Sequence, residues 1–270
     1  MLRKIQRYGW KPDLPDFRDF KYSAPQPPVG GLPPLVDLRP NCPPVYNQGQ
    51  LGSCTANAIG GAVEFDQIKE KAPHVWVPSR LFIYYNERVI EGDVGTDGGA
   101  QIRDGIKSIN TQGVCSEDLW TYDITKFAVQ PPQKCYTNAR NHLVTSYQSV
   151  AQTMQQIKGC LVSGYPVIYG FTVYESFESQ QVASTGLVPM PGTNETVLGG
   201  HAVLCVGYDD TATVQNPDGS PSTGMIIVRN SWGTGWGQNG YFLMPYDYVT
   251  NPNLASDLWT VRFVGWTPTS

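Results

Sequence analysis

Charged side chains are scarce in this sequence. Asp, Glu, Lys and Arg make up 16% of the 270 residues, against about a quarter in an average soluble protein. No basic cluster is denser than Arg3, Lys4, Arg7 and Lys11, and the formal charge is −4, so the positive footprint that a phosphate backbone needs is missing and nucleic acid is excluded as a partner. Long apolar runs are missing too. The longest, Met225–Val228 and Ala202–Val206, fall far short of a membrane span, so no membrane role is expected. The first ten residues, MLRKIQRYGW, lack the apolar stretch and cleavage site of a secretory leader. Six cysteines (Cys42, Cys54, Cys115, Cys135, Cys160, Cys205) are too few for a disulfide scaffold. No metal or cofactor signature is present, and nothing speaks to the oligomeric state. Histidine is rarest: an imidazole base can come only from His74, His142 or His201.

Proline and glycine, in contrast, are plentiful, at 22 and 28 residues. Ten of the prolines fall within the first 44 residues, where a missing N–H and a fixed φ rule out helix and central strand. Residues 1–36 therefore read as an extended arm. Beyond it, residues 54–71 place Ala58, Ile59, Ala62, Val63 and Phe65 near helical spacing, with Ser53 as an N-cap candidate. The glycines Gly60 and Gly61 in this segment are tolerable if something packs closely against them. Further helices are expected over Ser79–Val89 and Ala100–Gln112. From about residue 145 the texture changes to short apolar runs bounded by Gly, Pro and Asn, the signature of strands. The fold class is thus α+β, helical first and β-rich second.

Among the histidines, His74 and His142 sit in polar, loop-like contexts that favour a solvated ring, whereas His201 opens a strand after two glycines, where a ring can project into a cleft. Among the cysteines, Cys205 and Cys160 read as buried, inert thiols. Cys54 stands at the start of a helix, where unpaired N–H groups and the helix dipole lower a thiol's pKa and make it a nucleophile candidate.

The residues around Cys54 read Gln48-Gly49-Gln50-Leu51-Gly52-Ser53-Cys54-Thr55-Ala56. A second block, Gly200-His201-Ala202-Val203-Leu204-Cys205-Val206-Gly207-Tyr208, follows 147 residues after Cys54, and a third runs from Arg229-Asn230-Ser231-Trp232-Gly233 to Gly240-Tyr241. Together they resemble the papain-like cysteine peptidases, over about residues 37–245. The resemblance implies a two-lobed fold, a helical lobe (about 45–140) and a β-barrel-like lobe (about 141–270) flanking a cleft. It also implies a peptidase domain over 37–270. In the chemistry it implies, Cys54 is the nucleophile, paired as thiolate with imidazolium His201. Asn230 orients the ring, Trp232 shields that bond from water, and Gln48 with the Cys54 N–H forms the oxyanion hole. Gly98 and Gly99 are similar to the family's substrate-binding glycines. By position, Gly98, Gly99, Ala100, Gly170 and Gly200 would line the main side-chain pocket and leave room for a bulky apolar or aromatic group. Substrates would be peptides or proteins. An acyl transferase or ligase on the same site, and a noncatalytic peptide-binding homologue, remain as alternatives.

The sequence also departs from the pattern. Thr55 stands where the family usually has tryptophan and Leu51 where it has cysteine, and the family disulfides are lost; Cys115 and Cys135 are left as one possible pair. Missing bridges and a missing leader imply a reducing, intracellular location, with export by another route still open. The arm is too short for the family's helical propeptide. Tyr8–Asp19, rich in aromatics and prolines, suits either a removable plug of the cleft or a permanent strap on the second lobe. The tail from Pro245 matches nothing in the family.

Overall fold

The fold is seen in a computed structural model that describes residues 8–27 and 31–262; Arg3, Lys4 and Arg7 of the basic cluster lie outside them. In chain order the elements are β1 (Leu35–Asp37), α1 (Cys54–Lys69), α2 (Arg80–Glu91), α3 (Ile102–Thr111), α4 (Gln133–Ala139), β2 (Ser146–Ser149), α5 (Met154–Val162), β3 (Val167–Tyr174), α6 (Gln180–Thr185), β4 (Val197–Gln215), β5 (Pro221–Arg229), β6 (Tyr241–Pro245), α7 (Tyr246–Thr250) and β7 (Ala255–Arg262). The three expected helices form with ends shifted by one or two residues. The unassigned tail supplies α7 and β7.

α1 is buried from Cys54 through Gln67, as a helix enclosed on every side must be. The side chain nearest each of its glycines is an arginine. A methyl at Gly61 would stand 2.8 Å from Arg229 Nη1, and one at Gly60 would stand 3.3 Å from Arg80 Cγ. Both guanidiniums stack on Tyr46, each 4.5 Å from the ring centre. These contacts pin the segment ahead of Cys54 to the helix behind it.

The strands pair antiparallel in the order β2-β7-β3-β4-β5-β6, with β1 joining β4. Period-2 alternation gives this sheet two buried faces. Ala202, Leu204 and Val206 join the core formed with α1, α2 and α3, while Val203 and Cys205 join a second core that includes Ile157, Phe177 and Tyr248. One strand pairing is irregular. Ile168 faces Trp259 but Gly170 faces Ser256, so β7 carries one residue too many, and Asp257 within it has φ +58°. That is a β-bulge.

The arm serves on both lobes. Phe20 and Tyr22 exchange backbone hydrogen bonds with Ser149 at 2.7 and 2.8 Å, and Ala24 N–H donates to Gln156 Oε1 at 2.8 Å, so this part straps the β-rich half. Residues 8–11 run elsewhere, between the end of α1 that carries Cys54 and the strand that carries His201.

Candidate active site

Cys54 is the first residue of α1, and the backbone of Ala202, the neighbour of His201, lies close enough to favour its thiolate. Ser53 occupies the N-cap position without capping. Its hydroxyl is instead one link in a chain: Asn57 Nδ2 donates to Ser53 Oγ at 3.1 Å, Ser53 Oγ lies 2.5 Å from the Tyr122 hydroxyl, and that hydroxyl donates to the Gln48 carbonyl at 3.0 Å. Gln48 is fully buried. Ser231 Oγ donates to its Oε1 at 2.6 Å and its Nε2 donates to the Leu51 carbonyl at 2.9 Å, which fixes the amide's orientation and leaves one N–H to serve elsewhere.

His201, on β4, is buried against Phe171, Phe177 and Trp232. Its Nε2 lies 2.9 Å from Asn230 Oδ1, which also accepts the Ser231 N–H at 2.8 Å. An oxygen that accepts from Ser231 makes Nε2 the protonated nitrogen and Nδ1 the basic one; Nδ1 has no hydrogen-bond partner among the described residues. Trp232 stacks on the ring at 5.1 Å, with 28° between the planes, and is 2% exposed. The other histidines take no part: His74 is exposed, and His142 is half-buried against Trp76 at 4.6 Å.

The expected depression of the thiol pKa is not found. Burial pushes the Cys54 thiol up to about 12 and His201 down to about 4, so both are neutral in this state. The arm packs against both. Gly9 lies with its backbone near the Cys54 sulfur, and its carbonyl accepts from Ala100 N–H at 2.7 Å. Trp10 N–H donates to the Gly200 carbonyl at 2.9 Å, and Lys11 N–H to the Ala100 carbonyl at 3.0 Å. The Tyr8 ring packs on His201 and Trp232, and its hydroxyl donates to Glu178.

All five residues expected to line the pocket meet the arm. Methyl groups at Gly170 and Gly200 would collide with the Trp10 indole, one at Gly99 would collide with Gly9, and one at Gly98 would stand 3.5 Å from Lys11 Nζ. Ala100 pairs with Trp10 along the backbone. Three contributors escaped sequence reasoning. Asp257 Oδ2 accepts from Trp10 Nε1 at 3.0 Å, Ser231 orients Gln48, and Glu87 on α2 accepts from Thr55 Oγ1 at 2.6 Å. Glu87 is fully buried and kept neutral by that burial, with Oε2 lacking a partner among the described residues. All six cysteines are free thiols, Cys115 and Cys135 included.

The family model for papain family cysteine proteases matches residues 32–260. The chain belongs to this family. An uncharacterized peptidase C1-like protein of Acanthamoeba polyphaga mimivirus is 45% identical over 243 residues, covering 85% of this chain and 75% of its own. Among solved structures, xylellain, a cysteine protease from Xylella fastidiosa, superposes with a TM-score of 0.85 at 43% identity, covering 98% of each chain. Digestive procathepsin L 3 of Tenebrio molitor larval midgut superposes at 0.68 with 21% identity, over 90% of this chain and 73% of its own, a likeness of fold alone. As a papain-family protease the chain is a hydrolase acting on peptide or protein substrates. Among the described residues, no helix is long and apolar enough to cross a membrane.

Proposed function

We propose that this chain is a cysteine peptidase working through Cys54, His201 and Asn230, held inactive by its own N-terminal arm. The observation that carries the reading is the arm threaded through the cleft, with Gly9 at the nucleophile and Trp10 in the adjoining pocket. A peptide segment fits there along its backbone, as a substrate must. Gly9 keeps its carbonyl on the Ala100 N–H, which supports an arm that occupies the cleft without presenting that carbonyl to the sulfur.

Once the arm leaves, water reaches the cleft and the cost of charging Cys54 and His201 falls. The proton moves from the thiol to Nδ1 of His201. The thiolate then attacks a substrate carbonyl, and the oxyanion is met by the free N–H of Gln48 and the backbone N–H of Cys54. His201 returns the proton to the departing amine, leaving a thioester on Cys54. Water, deprotonated by His201, hydrolyses the thioester and regenerates the thiol. Each oxyanion donor contributes about 3 kcal/mol to such a step. The free state of all six thiols supports a reducing compartment.

Alkylation with a peptidyl epoxide tests the reading. Modification should fall on Cys54 alone, vanish in Cys54→Ala, and accelerate when Trp10→Ala loosens the arm. Labelling without turnover of any peptide would favour a noncatalytic binder, and products joined to an added amine would favour a ligase.

A further inference from the structure

One buried guanidinium joins the supports of both oxyanion donors. Arg80 opens α2 and is 7% exposed. Its Nε and Nη2 donate to the two oxygens of Glu117 at 2.9 and 2.6 Å, a fork that fixes the guanidinium plane. So held, the plane lies 4.5 Å from the centre of the Tyr46 ring and 4.0 Å from that of Tyr122, and the remaining nitrogen, Nη1, donates to Asn57 Oδ1 at 3.2 Å and, at 3.5 Å, to the Asn47 carbonyl. Each of these neighbours bears on a donor. Tyr46 and Asn47 directly precede Gln48, and the Tyr122 hydroxyl donates to the Gln48 carbonyl at 3.0 Å. Asn57 stands on α1, where its Nδ2 donates to the carbonyl of Ser53, the residue before Cys54, at 2.9 Å. Arg80 therefore fastens the segment that carries the Gln48 amide to the helix that carries the Cys54 N–H. Its partner loop is anchored as well: Glu117 N–H donates to the Val77 carbonyl at 2.8 Å, and Ser79 Oγ to the Trp120 carbonyl at 2.7 Å.

We infer that Arg80 is a positioning residue of the oxyanion hole, setting where the Gln48 amide stands relative to the Cys54 N–H without touching the substrate. This rests on the peptidase reading and adds a residue to it. The hole works only while both donors point at the place where the negative oxygen forms, and a displacement of about 1 Å costs about a hundredfold in rate. Lysine in place of Arg80 would keep a positive charge beside Glu117. It would lose the flat stack on both rings, and one ammonium on a flexible stem cannot reach Glu117, Asn57 and Asn47 in the fixed geometry of the fork. Gln48 would keep its bonds to Ser231 and Tyr122 and lose its tie to α1.

The test uses the full chain with Trp10→Ala to release the arm, and each rate is referred to the sites titrated by a peptidyl epoxide, so that misfolded protein does not count. Arg80→Lys should lower kcat about tenfold with KM within about twofold. A peptide aldehyde, whose adduct with Cys54 places a negative oxygen in the hole, should bind about tenfold more weakly. Iodoacetamide, which alkylates the sulfur without forming such an oxygen, should react at an unchanged rate. With Gln48→Ala already present, Arg80→Lys should change kcat and aldehyde affinity by less than about twofold, since the residue it positions is gone. Glu117→Gln keeps the partner's shape and weakens the fork; it should give the same pattern at about threefold, and it carries the test if Arg80→Lys does not fold. Effects of Arg80→Lys and Gln48→Ala that multiply in full, an unchanged kcat, or an alkylation rate that falls with kcat would overturn the inference, each describing an arginine that only holds the fold together. Should the arm-released chain turn over no peptide, the peptidase reading fails, and aldehyde affinity then decides alone: dependence on Arg80 only while Gln48 is present upholds the placement, and indifference to Arg80 removes it.

Discussion

Raising the pH should loosen the arm. Asp13 and Asp257 face each other across the arm's contact with β7, with Asp13 Oδ2 on Trp259 Nε1 at 2.8 Å and Asp13 Oδ1 on Arg103 N–H at 3.1 Å. Burial, and then the neighbouring Asp257, push the Asp13 carboxyl from its ordinary 3.8 up to about 7 while the arm is docked; burial also raises Asp257. Arg103 opposes both shifts without cancelling them. The docked arm therefore holds a proton that the free arm gives up. Docking is at full strength below about pH 4, weakens as the free carboxyl ionises, and has lost the whole contribution once pH passes about 7. At ~1.4 kcal/mol per pH unit, reduced for the partial exposure of both groups, the loss comes to about 2–4 kcal/mol. That is a thirtyfold to several-hundredfold shift toward the free arm. The assay should read the arm rather than turnover, because Cys54 and His201 titrate as well. A 5-fluorotryptophan ¹⁹F signal from Trp10, assigned with Trp10→Phe, should show a released population growing between pH 4.5 and 7.5. Asp13→Asn, which mimics the protonated acid, should flatten the profile at its tight end. A Trp10 signal that stays equally docked across this range, or docks more tightly at pH 7.5, refutes the reasoning.

Two more changes probe the groups around Cys54. Ser231→Ala frees the Gln48 amide to turn its N–H away from the oxyanion; in the arm-released chain, kcat should fall about tenfold with little change in KM, part of the effect of losing one donor altogether. Equal changes in both constants would point to a structural role. Glu87→Gln keeps the bond from Thr55 and removes the penalty of ionising a buried acid. A carboxyl raised by folding stabilises the fold less as pH climbs above its unfolded value, so urea denaturation should show the variant more stable than the native chain by about 1 kcal/mol or more at pH 8 and level with it near pH 4. Equal stability at both pH values would contradict this.

Much of the site was legible because its parts lie in short contiguous blocks. Gln48, Cys54, His201, Asn230 and Trp232 could be placed from their neighbours, and the small residues Gly170 and Gly200 pointed to a pocket. Other features depend on pieces distant in the chain. The helix start at Cys54 led to an expected low thiol pKa, but the folded chain buries the sulfur completely, and that desolvation pushes the thiol up despite the backbone of Ala202 and Gly9 nearby. Asp257 lies in the tail that matched no motif, and its direction is set by a bulge that alternation cannot foresee. Thr55 was visible as a departure from the family pattern, yet nothing near it in sequence points to Glu87 as its partner. Of the arm, residues 8–11 lie in the cleft and residues 20–24 pair with the β-rich half.

The central claim is that Cys54 is a peptidase nucleophile covered by the chain's own arm. Its most direct test is the second-order rate of Cys54 alkylation by a peptidyl epoxide at fixed pH, measured on the full chain and on Trp10→Ala. Removing a buried tryptophan from a packed site costs about 3–5 kcal/mol, so the account predicts a rise of at least a hundredfold, with peptide hydrolysis appearing in step and both lost in Cys54→Ala. Equal alkylation rates in the two chains, or hydrolysis that survives Cys54→Ala, would contradict it.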